Sequence, residues 1–95
     1  MSKEETKYIP TIPVRDIPKV RFEKVFSTEQ EEKELKERLT KACANGNNRK
    51  VKYKITFYTN NGRMKVNTTI WSVGNSFITL KENIYIPIKS IINVI

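Results

Sequence analysis

Residues 50–73 read KVKYKITFYTNNGRMKVNTTIWSV, two runs of alternating apolar and polar residues around Asn61-Gly62. Alternation with period 2 is the signature of a half-buried strand, and Asn-Gly between two such runs marks a two-residue hairpin turn. Folded about that turn, one face collects Val51, Tyr53, Ile55, Phe57, Met64, Val66 and Ile70. The other collects Lys50, Lys52, Lys54, Tyr58, Arg63, Lys65 and Trp71. One face is fit for a core and the other is basic and carries aromatic rings. Pairing across this turn would set Tyr58 beside Lys65 and Lys52 beside Trp71.

Outward from the hairpin, Gly74-Asn75 permits a second tight turn into a third strand at 76–81. Glu82-Asn83 turns into a fourth at 84–88, where Pro87 suits an edge or strand end. Lys89-Ser90 gives a short turn before a closing strand, Ile91–Ile95. Near residues 70–73 both faces of the second strand, 63–73, become apolar. A long strand bent between two sheets accounts for this, and such a bend closes small barrels. Trp71 is then expected to be buried against Ile78 or under a helix, and a Lys52–Trp71 cation–π contact is the alternative to a stacking role.

Upstream, residues 28–44 form the one strong helix. Ser27-x-x-Gln30 and Thr28-x-x-Glu31 both fit a capping box, acids lead and bases follow as the helix dipole favours, and Asn45-Gly46 ends it. Leu35, Leu39, Ala42 and Cys43 make a narrow apolar stripe that must dock on the sheet. Before the helix, residues 1–25 form an extended arm interrupted by Pro10, Pro13 and Pro18, with a flexible tip to about Tyr8. Its apolar residues allow docking on its own barrel or on a neighbouring subunit. Pro10-Thr11-Ile12-Pro13-Val14-Arg15 matches a short PxxPx(+) pattern, which is common by chance. The domain proper is 26–95.

This order of elements, with Asn61-Gly62, Ile70, Phe77-Ile78-Thr79-Leu80-Lys81, Ile88 and Ile91 as its skeleton, resembles the small bacterial Sm-like and SH3-like β-barrel proteins, including the host-factor RNA chaperone. The resemblance covers about residues 28–95 and rests on the spacing of apolar positions. It implies an α+β, mainly β fold: an N-terminal helix followed by a five-stranded, mostly antiparallel barrel. The Asp-x-Phe/Met-Asn loop, the Arg-Gly loop and the Tyr-Lys-His motif of those families are absent, so no RNA-contacting residue carries over from them.

The charge is unevenly placed. The chain has 95 residues, 18 Lys and Arg against 10 Asp and Glu, and a net charge of +8. Residues 49–95 hold eight bases and one acid, Glu82, for +7; residues 1–48 hold ten bases and nine acids. A concentrated positive field favours polyanions. A compositional origin is the rival explanation, because Lys outnumbers Arg thirteen to five and Ile and Asn are abundant.

Catalysis is not expected. The chain has no histidine, the usual general base near neutral pH. Cys43, the single cysteine, falls on the apolar stripe and reads as structural. The three glycines occupy turns or caps rather than a phosphate-cradling loop. No cofactor, metal site, small-molecule substrate or membrane span is expected, and the charged first residues give no signal peptide, so the expected location is cytoplasmic.

The expected function is non-enzymatic binding of single-stranded nucleic acid, RNA favoured, with Lys50, Lys52, Lys54, Arg63 and Lys65 neutralising phosphates and Tyr58 offering a stacking plane. The alternatives are a protein-interaction or self-assembly module using the sheet edge and the arm, and a merely solvated surface.

Overall fold

The computed structural model describes residues 9–49 and 51–95. It is a small α+β protein, mainly β, with one α-helix and two antiparallel three-stranded sheets. Helix α1 spans Glu29–Arg49. The strands are β1 (Tyr53–Thr59), β2 (Gly62–Thr68), β3 (Ile70–Val73), β4 (Phe77–Leu80), β5 (Ile84–Pro87) and β6 (Ile91–Val94). The first sheet has the order β2-β1-β6 and the second β3-β4-β5. Five strands were expected and six are present, because the second expected strand is interrupted at Thr69. Its two halves join different sheets, as the bend required.

Both hairpin corners sit one residue from their expected places. In the first, Thr59 pairs with Gly62, so Asn60-Asn61 is the corner. Asn60 and Asn61 keep negative φ and only Gly62, at φ 98°, enters the left-handed region. The Thr59 hydroxyl donates to the Gly62 carbonyl (2.8 Å) and accepts from the Asn61 N–H (3.1 Å), which fixes this corner. Partners therefore move by two residues: Tyr58 faces Arg63 and Thr56 faces Lys65. A two-residue slip preserves the pleat, so the side chains of β1 and β2 keep their expected faces. Ile55, Phe57 and Val66 are fully buried, Tyr53 and Met64 half-buried, while Val51 lies exposed ahead of β1. The ladder ends at Tyr53–Thr68, so Lys52 and Trp71 are not paired.

In the second hairpin the corner is Asn75-Ser76, with the Gly74 N–H donating to the Phe77 carbonyl (2.8 Å). Ile70 pairs with Leu80 and Val73 with Ile78, but Ser72 pairs with Thr79, leaving Trp71 as the extra residue of a bulge. That bulge corrects the expected burial of Trp71. Ile78 is covered by Val73 instead, and Trp71 is 45% exposed. The Glu82-Asn83 turn is present; both residues take positive φ (68° and 60°) to close β4 onto β5.

Thr28 closes the capping box: its N–H donates to the Glu31 carboxylate (2.9 Å) and its hydroxyl accepts from the Glu31 N–H (3.1 Å). The apolar stripe docks as expected, with Leu39 and Ala42 buried and Leu35 and Cys43 packed against the core. The helix does not stop at Asn45-Gly46 but runs to Arg49. One glycine costs a helix only about 1 kcal/mol relative to alanine, a penalty rather than a block. The first strand accordingly starts at Tyr53, later than the alternation that begins at residue 50.

The arm's expected flexible tip lies outside the described residues. The rest closes the fold. Ile12 donates its N–H to the Lys65 carbonyl and Lys65 donates back to Pro10 (both 2.9 Å), so the arm pairs in parallel with the outer edge of β2. A 3-10 turn, Val14–Lys19, then lies against β2 and β5 and sinks Ile17 into the core with no exposed surface. Phe22 bridges to Thr59 and sets its ring 5.6 Å from that of Phe57. The PxxPx(+) residues Pro10 and Ile12 are thus committed to this chain's own sheet. On the opposite side α1 lies along β3 and β6. Arg38 donates to the Asn93 amide oxygen (2.7 Å) and the Val94 carbonyl (3.1 Å), so the closing strand's edge is partly taken rather than open. One core joins both sheets, the helix stripe and Ile17.

Candidate nucleic-acid interface

The outer face of the first sheet can be read row by row. Arg63 stands opposite Tyr58; Lys65 is opposite Thr56 and then Asn93; Asn67 is opposite Lys54, whose backbone exchanges hydrogen bonds with Ile95 (2.9 and 3.1 Å). Lys52 is exposed one alternation before Lys54. Four of the six expected site residues (Lys54, Tyr58, Arg63, Lys65) thus share one face, and Lys52 is exposed just ahead of β1. Lys50 lies outside the described residues.

Lys54 and Arg63 are exposed, Lys65 is half-buried and Tyr58 is 39% exposed. Arg63 and Lys65 alternate on β2 and so stand about 7 Å apart along the strand. None of the three strands carries a carboxylate, and among the described residues no ion pair engages these cations. Solvent-facing ammonium and guanidinium groups without a competing acid are suited to phosphate oxygens, and the guanidinium can hold one bidentately.

Two neighbours were not foreseen. Lys24 at the end of the arm and Phe26 just after it join Tyr58, Arg63 and Ile92 around a hollow of about 460 Å³. They are placed there by backbone contacts far apart in sequence: Glu23 N–H to the Tyr58 carbonyl (3.0 Å) and Asn60 N–H to the Arg21 carbonyl (3.0 Å). No local pattern in residues 21–26 signals such contacts.

The second sheet's outer face differs. Its strands carry no charge at all. Trp71, Phe77 and Tyr85 are each about half exposed, and the Phe77 and Tyr85 rings meet edge to face at 6.4 Å between centroids. A hollow of about 440 Å³ beside them is lined by Ser72, Ser76 and Thr79. A third concavity, about 640 Å³, runs between α1, the β3–β4 corner and the segment after β5, with Leu35, Phe77, Ile88 and Ile91 in its walls and both Glu32 and Lys33 on its rim. Lys36 donates to the Asn75 amide oxygen across its end (3.3 Å).

Among the described residues no group of three His, Cys, Asp or Glu side chains gathers as a metal site. No helix among them is long and apolar enough to cross a membrane. No family model matches the chain, and neither a curated protein nor a solved structure matches it.

Proposed function

We propose that this protein is a non-enzymatic, cytoplasmic binder of single-stranded nucleic acid, with RNA favoured, and that the first sheet's outer face is the site. The observation carrying this reading is the grouping of Lys54, Arg63 and Lys65 around an exposed Tyr58 on one pleated face whose three strands carry no acidic side chain. Lys52, Lys54, Arg63 and Lys65 neutralise phosphates, and Lys50 extends their line in sequence. Tyr58 stacks on an unpaired base. The strand order supports treating the two sheets as one Sm-like or SH3-like barrel of five strands, with β2 and β3 the halves of one bent strand.

The test is anisotropy of a labelled single-stranded RNA titrated with protein at several salt concentrations. Affinity should fall linearly in log salt, with a slope of about −0.7 per phosphate neutralised. Lys52→Glu combined with Lys54→Glu should weaken binding at least 100-fold while circular dichroism stays unchanged. Equal affinity in that folded variant would sink the proposal.

A further inference from the structure

The side chain that most needs an explanation is Phe26. It is 92% exposed, the most exposed large apolar residue among those described. It is not on a loose tail. On one side the Val25 N–H is bonded to the Lys89 carbonyl (2.8 Å), and on the other Thr28 is locked into the helix cap. The ring is therefore presented to solvent by backbone fixed at both ends, which lowers the ordering cost of using it in a contact.

Phe26 forms a ridge with Val25 and Ile92 between two hollows that share those three residues. The hollow on one side, about 310 Å³, is lined by Glu31, Glu34 and Arg38, and since the Arg38 guanidinium is taken up by Asn93 and Val94 the two carboxylates set its sign. The hollow on the other side has Lys24 and Arg63 on its rim. An apolar ridge with an acidic hollow on one flank and a basic hollow on the other is self-complementary. A two-fold axis along the ridge brings each copy's acidic flank onto the other's basic flank, because in such an interface residue i meets j and j meets i.

We infer that this surface is a homodimer interface, with a second copy of the chain as its occupant. Phe26 of each copy packs against Phe26, Val25 and Ile92 of the other. Glu34 of each copy faces Arg63 of the other. The charges supply register and the ring supplies the desolvated anchor that such contacts centre on.

The mass is measured by sedimentation equilibrium without nucleic acid, over roughly 1 µM to 1 mM protein. The expected result is a reversible shift from one to two chains. Phe26→Ser should weaken it at least tenfold without altering the circular dichroism, since the ring contributes nothing to the core. Glu34→Lys and Arg63→Glu should each weaken it, and the two together should restore it. A single-chain mass over the whole range, an association unaffected by Phe26→Ser, or no recovery in the double variant would each overturn the inference. Because the readout is mass alone, failure of the chain to bind RNA leaves it standing. Arg63 and Tyr58 belong to both surfaces, so bound RNA should shift the equilibrium toward single chains.

Discussion

The two sheets share a core but turn opposite chemistries outward. The first shows Lys54, Arg63 and Lys65 with one tyrosine; the second shows Trp71, Phe77 and Tyr85 and no charge. Both inner faces are mainly apolar, so the difference is not imposed by folding. Cations act over about 8 Å at physiological salt and gather a polyanion before contact. Aromatic faces act only at contact and are indifferent to salt. The first face is therefore the one whose behaviour ionic strength should expose.

The largest effect should come from removing what the faces share. Ile17→Ala empties a fully buried site between the sheets and should cost about 2–5 kcal/mol, lowering Tm by roughly 4–8 °C per kcal/mol. Unfolding followed by Trp71 fluorescence and by far-UV circular dichroism should coincide. Two separate transitions would mean that the sheets are independent. Lys54→Glu with Lys65→Glu is next. It should cut RNA affinity at least 100-fold, about 2.7 kcal/mol, and make the salt slope shallower by about 1.4, from two lost phosphate contacts. A smaller effect is expected at the corner of the first hairpin. Gly62→Ala places a Cβ in the left-handed region and should cost about 1–2 kcal/mol in chemical denaturation. Added bulk is not the reason, as open space surrounds the position. Smallest of all, Phe77→Ser with Tyr85→Ser should leave RNA affinity within about twofold, well under 1.4 kcal/mol. A large loss there would make the uncharged face part of the site.

Much of this contrast is legible in the residues themselves. Alternation in residues 50–73 separates a core face from a basic one, and the assignment survives a misplaced turn because the partners move by an even number of residues. The bend between β2 and β3 is also legible, as apolarity on both faces near residue 70. Trp71 is not. Its exposure depends on a bulge, and a bulge is decided by which pairing buries Ile78 better, with Val73 or with Trp71. Nor is Ile17, since a proline-interrupted segment gives no periodic sign of the gap between β2 and β5 that it fills. The site divides the same way: Lys54, Arg63 and Lys65 follow from pattern, whereas Lys24 and Phe26 depend on the arm's path past Tyr58.

That path also constrains how the chain can be made. Ile17 has nowhere to go until β5 exists, and Pro10 and Ile12 must wait for Lys65. On the ribosome this early segment emerges long before its partners, so contacts of such sequence separation form late and slowly. In the interval the edge of β2 is bare, and a chaperone or a second nascent chain has its best opportunity there.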